Sequence, residues 1–189
     1  QVLPTSFDYL HNRSYNLSVD IAMLGDRRAG KSCLVRSLDK EPFVPGYRPT
    51  IVPEVYTFFK SAHGLDYRFR LWDVSILSGH EGLLPLYMKM CSAFLIVYDT
   101  TNRASFENVN TWLTLINAID AKQHPIVLIG NKIDRESERQ VLREEATAWA
   151  EQHSADFVET SAMHACEVED IILSAFRVAL RKQQQPNFT

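Results

Sequence analysis

Nearly continuous apolar runs alternate with amphipathic stretches along most of this chain, and this alternation restricts the fold more than any other feature. The runs SVDIAML, AFLIVYD and PIVLIGN begin at Ser18, Ala93 and Pro125. Strands of this composition are typical of a parallel sheet that is covered on both faces. The amphipathic stretches between them would supply the covering helices. The sequence therefore predicts an α/β fold with a mostly parallel sheet flanked by helices on both faces.

Two further patterns refine this prediction. VYTFFKS and YRFRLW flank the short Gly-containing connection AHGLD, which predicts an antiparallel hairpin at an edge of the sheet. Apolar residues recur at spacings of three and four over 165–182, which predicts a helix with one buried face.

Composition excludes several classes of protein. With 189 residues and 46% hydrophobic content, the chain suits one globular domain. A net charge of -3 with dispersed basic residues argues against a nucleic-acid partner. The three cysteines lie far apart, without the spacing of a zinc site. No apolar run approaches the ~18 residues of a membrane span, so no transmembrane segment is expected and the predicted location is cytoplasmic.

The segment GDRRAGKS, Gly25 to Ser32, matches the phosphate-loop pattern GxxxxGK[ST] and follows the first predicted strand. Backbone N–H groups and a helix N-terminus converge on phosphate oxygens in such a loop. Lys31 would add a cation, and the Ser32 hydroxyl can hold Mg²⁺. The predicted phosphate-binding residues are Asp26, Arg27, Arg28, Ala29, Gly30, Lys31, Ser32 and Cys33.

The apolar run PIVLIG leads directly into NKID, Asn131 to Asp134. Ligands of open parallel sheets bind at the carboxyl ends of strands. The Asp134 carboxylate can accept the paired N1–H and 2-amino donors of guanine, whereas adenine offers no such pair. Together with the phosphate loop, NKID therefore predicts a site for guanine nucleotides rather than ATP.

With these motifs, the chain resembles a small GTPase of the Ras superfamily, of the Rab and Ras type, over residues 16 to 182. YRPTI around Thr50 resembles the first switch, LWD ending at Asp73 the strand before the second switch, and ETSA with Ser161 and Ala162 the last base-binding loop. The resemblance implies a P-loop fold with a six-stranded sheet. It also implies an N-terminal extension over 1–15 and a C-terminal tail over 183–189.

The resemblance further implies a ligand set. GTP or GDP would bind with Mg²⁺, which would contact Ser32, Thr50 and, through water, Asp73. Phe43 would lie edge-on against the base, where an ordinary core Phe is the alternative. The base would also meet Asn131, Lys132, Asp134, Ser161, Ala162 and Met163. Effector proteins would bind the switch regions, and an exchange factor is a further expected partner.

The second switch departs from the family. After Asp73 the family has TAGQE, in which Gln orients the attacking water, but this chain reads DVSILSGHE. An ungapped alignment places Leu77 at the Gln position, and Leu cannot hydrogen-bond water. A second alignment places SGHE on AGQE, so that His80 replaces Gln. The first alignment predicts slow or absent hydrolysis, and the second predicts a working but altered catalytic centre.

Arg27 and Arg28 are a second departure, because the family usually has small residues at these positions. Two long side chains could crowd the space beside the transferred phosphate. One of them could instead act as a built-in arginine finger, or both could be solvated loop residues.

The C-terminal segment QQQPNFT contains no Cys for prenylation. Membrane contact is therefore expected to be peripheral, either through a partner or through a tail that this sequence lacks.

Overall fold

The computed structural model describes residues 15–38, 54–62, 64–74, 84–119, 123–163 and 170–176. Strands within these ranges are β1 (Leu17–Gly25), β2 (Glu54–Ala62), β3 (Leu65–Asp73), β4 (Ala93–Asp99), β5 (Ile126–Asn131) and β6 (Asp156–Glu159). Helices within them are α1 (Lys31–Leu38), α2 (Leu84–Lys89), α3 (Arg103–Glu107), α4 (Val109–Asn117), α5 (Arg143–Gln152) and α6 (170–176). A 3-10 helix covers Ile133–Glu138.

The described strands form one six-stranded sheet in the order β2-β3-β1-β4-β5-β6. Only β2 runs antiparallel within this sheet, paired with β3 from Glu54 opposite Asp73 to Ala62 opposite Leu65. Gly64 occupies the connection with φ +75°, a conformation that glycine adopts without strain. The predicted edge hairpin and the mostly parallel sheet are therefore confirmed.

Both faces of the sheet are buried, and β1 shows how its composition follows from this. Val19, Ile21 and Met23 belong to one hydrophobic cluster, which also contains α1 and α6 residues. Ala22 and Leu24 belong to the cluster on the opposite face, with residues of α2 to α5. Because successive side chains of a strand point to opposite faces, both sets must be apolar. The predicted arrangement of helices on both faces is confirmed.

The helical stretch after β4 differs in detail from the sequence pattern. The amphipathic stretch begins at Ser105, but α3 begins at Arg103, because the Asn102 side chain accepts a hydrogen bond from the Ala104 amide at 3.1 Å and caps the helix. The structure also divides the stretch at Asn108, between α3 and α4. For the long helix predicted over 165–182, the described part is 170–176, and it is helical.

The carboxyl ends of β1, β3, β4 and β5 lie at one edge of the sheet, since these strands are parallel to their neighbours. This edge therefore collects Gly25, Asp73, Asp99 and Asn131, the last residues of those strands. None of the helices in the described ranges is both long and apolar enough to cross a membrane.

Candidate functional site

The loop between β1 and α1 passes so close to its neighbours that glycine is required at both ends. Gly25 has φ +137°, and a Cβ there would lie 2.1 Å from the Val97 carbonyl oxygen. Gly30 has φ +96°, and a Cβ there would lie 2.2 Å from Nδ2 of Asn131. The glycines of the phosphate-loop pattern thus allow the loop to fold against β4 and the end of β5.

Lys31 begins α1 and folds back over the loop. Its Nζ donates to the carbonyl oxygens of Gly25 at 2.8 Å and Asp26 at 3.0 Å, and the residue is only 6% exposed. Burial lowers the pKa of Lys31, while the negative charges of Asp73 and Asp26 oppose that shift. The loop therefore holds a cation where an anion could approach it, next to the N-terminus of a helix.

Ser32 and Asp73 meet beside Lys31. The Ser32 hydroxyl donates to Oδ2 of Asp73 at 2.5 Å, and Asp73 is fully buried at the end of β3. Oδ1 of Asp73 is also buried and has no hydrogen-bond partner among the described residues. Burial raises the pKa of Asp73, while the Ser32 hydrogen bond and the Lys31 charge oppose that shift. A buried carboxylate oxygen with unused acceptor capacity beside a hydroxyl fits a Mg²⁺ site, because Mg²⁺ takes oxygen ligands.

Asn131 joins two loops at the end of β5. Its Nδ2 donates to the Ala29 carbonyl oxygen at 2.8 Å, and its Oδ1 accepts from the Ala162 amide at 3.2 Å. The residue is 1% exposed. The phosphate loop and the loop after β6 are therefore held together by one buried side chain.

Asn131→Ala should lower the free energy of unfolding by about 2–4 kcal/mol, because it leaves a buried carbonyl and a buried N–H without their partner. Urea unfolding followed by circular dichroism measures this change. Asn117→Ala is the matched control, since Asn117 is exposed at the end of α4. Equal losses in the two variants would contradict the joining role of Asn131.

The next two polar side chains of NKID are also fixed by partners. Lys132 has a left-handed backbone, with φ +70°, and its Nζ contacts Oδ2 of Asp99 at 2.6 Å. Oδ1 of Asp134 accepts from the Ser161 hydroxyl at 2.5 Å, and Oγ of Ser161 accepts from the Met163 amide at 3.1 Å. Asp134 remains exposed, so its carboxylate is oriented and still accessible to a ligand.

The structure brings most of the residues predicted for the site to the same edge of the sheet. Contacts described above link Asp26, Ala29, Gly30, Lys31, Ser32, Asp73, Asn131, Lys132, Asp134, Ser161, Ala162 and Met163 to one another or to this edge. The Ala162 amide, predicted to contact a base, donates to Asn131 here. Cys33 is half-buried in α1. The remaining predicted residues, Phe43, Thr50, Leu77 and His80, lie outside the described residues.

Both loop arginines are exposed. Arg28 has φ +66°, a left-handed conformation that is unfavourable for a residue with a Cβ. The loop thus turns at Arg28, where glycine would turn without strain.

Three contacts of the site were not predicted from the sequence. Asp99 holds Lys132, and Asp26 contacts Asn108 and Trp112 beside the break between α3 and α4. Asp99 ends a predicted strand, so the sequence could have placed it at this edge of the sheet together with Lys132. Nothing in the spacing of Asn108 and Trp112 indicates a contact with the phosphate loop, because both lie more than 80 residues away, with separations of 82 and 86.

Comparison with known proteins agrees with this geometry. The family model described as "Ras family" matches residues 20–181. The Ras-related protein RABF2a of Arabidopsis thaliana is 33% identical over 174 residues, which cover 92% of this chain and 87% of that protein. Ras-related protein RABF2b of the same plant is 33% identical over 178 residues, covering 94% and 88%. With a family match over most of its length and a phosphate loop at the end of β1, the chain belongs to the Ras family of small GTPases.

Proposed function

We propose that this protein is a guanine-nucleotide switch that binds GTP and GDP with Mg²⁺ at the carboxyl edge of its sheet. The observation that carries the proposal is the position of Asn131, whose side chain joins the phosphate loop to the loop after β6. Phosphates bound at the first loop and a base bound at the second would then belong to one ligand. The family membership supports the same conclusion, because Ras-family proteins generally bind GTP and GDP.

Selection of guanine is assigned to Asp134. Ser161 holds one of its carboxylate oxygens while the residue stays exposed. Each carboxylate oxygen has lone pairs for more than one donor, so the carboxylate can accept N1–H and the 2-amino group of guanine. Lys132, Ala162 and Met163 would line the same pocket. For Ala162, a contact with the base would share or replace the hydrogen bond to Asn131.

Mg²⁺ would be held by the Ser32 hydroxyl and Thr50, with Asp73 acting through water. The unused buried oxygen of Asp73 beside Ser32 supports this assignment. When bound, Mg²⁺ would neutralise charge on the β- and γ-phosphates.

The GTP-bound form would recruit effector proteins. In this proposal the γ-phosphate holds Thr50 and the second switch in the arrangement that effectors bind, which is a common device of such switches. An exchange factor would accelerate the release of GDP.

Hydrolysis of GTP is proposed to be slow. The sequence DVSILSGHE lacks the family Gln in the ungapped alignment, where Leu77 cannot orient water. The exposed side chains of Arg27 and Arg28 would add bulk beside the phosphate. A protein with slow hydrolysis would remain loaded with GTP and would depend on its abundance or its partners for regulation.

Two measurements test the proposal. Nucleotide released by denaturing the purified protein is identified by ion-exchange chromatography, and single-turnover GTP hydrolysis is compared between the wild type, His80→Ala and His153→Ala. GTP in the purified protein with equally slow hydrolysis in all three supports the proposal. Loss of hydrolysis in His80→Ala, with His153→Ala unchanged, would instead identify a competent GTPase that uses His80. If the purified protein contains no nucleotide and binds none, the switch proposal is wrong and the protein would act as a protein-binding scaffold.

A further inference from the structure

The Asp26 side chain ties the phosphate loop to helix α4. Its Oδ1 accepts from Nε1 of Trp112 at 3.1 Å, and its Oδ2 accepts from Nδ2 of Asn108 at 2.7 Å. Both carboxylate oxygens are thus bound by donors from one short segment of the chain. Hydrogen bonds to a charged acceptor are stronger than those between neutral groups.

We propose that Trp112 and Asn108 are positioning residues for the phosphate loop. Their hydrogen bonds to Asp26 set how fast the nucleotide is released. This inference rests on the proposed function, because it assumes that the phosphate loop holds a nucleotide. Neither residue belongs to a sequence motif of the site. They act through Asp26 and do not need to touch the ligand.

The backbone of Asp26 connects these two side-chain hydrogen bonds, called here the tether, to the phosphate-binding residues. Its carbonyl oxygen accepts hydrogen bonds from Nζ of Lys31 at 3.0 Å and from the Ala29 amide at 3.3 Å. The same residue therefore binds α4 through its side chain and the phosphate-binding cation through its backbone. Movement of Asp26 would displace Lys31 as well as the loop amides.

The negative charge of Asp26 is a second reason to expect that its orientation affects phosphate binding. A carboxylate on a phosphate-binding loop repels a phosphate unless other groups orient and partly neutralise it. Asp26 is also close enough to Lys31 for its charge to raise the pKa of that lysine, against the larger opposing effect of burial. The indole and amide donors keep this carboxylate directed toward α4. Without them, the carboxylate would be free to turn toward Lys31 and compete with the phosphates.

The indole donor is firmly placed. Trp112 is 5% exposed, and α4 packs into the core through Val109 and Ile116, which are 0% and 1% exposed. A side chain in a close-packed core has little freedom to follow a moving partner. Trp112 therefore provides a fixed point for the loop.

Trp112→Phe tests the inference, because Phe keeps an aromatic ring in the core but cannot donate a hydrogen bond. Release of a fluorescent GDP analogue should become about tenfold faster, as expected for the loss of one hydrogen bond to a charged group. Trp149→Phe is the matched control. Nε1 of Trp149 also donates to a residue of α4, Oδ1 of Asn110 at 2.9 Å, but within the described part of the chain it makes no hydrogen bond to the phosphate loop. This control should lower thermal stability without accelerating release.

Asn108→Ala is the second variant, since Asn108 is exposed and its side chain makes no helix-capping hydrogen bond to α4. It should also accelerate release while the protein stays folded. In an Asp26→Ala background, Trp112→Phe should have no further effect on release, because the partner through which it acts is gone. A purely structural role of Trp112 would instead give additive effects.

The outcomes separate this inference from the proposed function. If the wild type binds the GDP analogue and release is equal in the wild type, Trp112→Phe and Asn108→Ala, the positioning role is wrong while the nucleotide switch stands. If the wild type binds no guanine nucleotide, the proposed function is wrong and the inference falls with it. Equal acceleration by Trp149→Phe would also overturn the inference, since it would indicate a general loosening of α4.

Discussion

Asp134→Asn is expected to weaken binding of GDP and GTP by about a hundredfold or more, because two hydrogen bonds to a charged acceptor are replaced or lost. The amide group has one acceptor and one donor where the carboxylate has two acceptors. Xanthine carries a carbonyl in place of the 2-amino group of guanine, so the variant should prefer xanthine nucleotides. Competition of GDP and xanthosine diphosphate against a fluorescent GDP analogue measures both changes.

The hydrogen bond from Ser161 can be kept in Asp134→Asn, because the amide oxygen can accept it in place of Oδ1. A loss of nucleotide affinity would therefore indicate lost hydrogen bonds to the base and not a rearranged loop. Asp156→Asn is the control, since Asp156 is an exposed residue at the start of β6 and should retain guanine preference. An Asp134→Asn protein with unchanged GDP affinity would rule out this residue as the guanine acceptor.

Lys31→Met should also weaken GDP binding by about a hundredfold or more, since it removes a charge-assisted contact with the phosphates. Methionine has a similar length without charge or donors. The unfolding free energy of the ligand-free protein should change much less. Burial lowers the pKa of Lys31, which means that the folded environment disfavours its charge by desolvation. Removing the charge therefore removes this desolvation penalty, which offsets part of the stability lost with the hydrogen bonds to Gly25 and Asp26.

Isothermal titration with GDP and urea unfolding of the ligand-free protein measure the two effects separately. Lys89→Met provides the control, because Lys89 is exposed at the end of α2 and should change neither quantity. A Lys31→Met protein that binds GDP normally would exclude Lys31 as the phosphate-binding cation. Loss of stability as large as the loss of affinity would indicate a structural role for this lysine.

Local pattern predicted the strands well for a physical reason. A strand buried on both faces must be apolar at successive positions, as β1 and β4 are, and few other arrangements require such runs. A Cβ at Gly25 or Gly30 of GDRRAGKS would lie only 2.1 or 2.2 Å from an atom of β4 or β5, so glycine is required at both positions and marks the loop in the sequence. The start of α3 and its boundary with α4 were less visible, because the first depends on capping by Asn102 and the second on the turn at Asn108.

By itself, the sequence determined the class of fold, because the alternation of apolar runs is a local requirement of a sheet buried on both faces. It also placed the motifs GDRRAGKS and NKID directly after predicted strands, which indicates the types of chemical group at the candidate site. Tertiary structure decided which of these groups meet. Asn131 reaches Ala29 across 102 residues, and Trp112 reaches Asp26 across 86. Such contacts follow from the parallel order of the strands, which brings their carboxyl ends to one edge. The spacing of residues along the chain does not predict these contacts, and so only the folded structure shows the tether between the phosphate loop and α4.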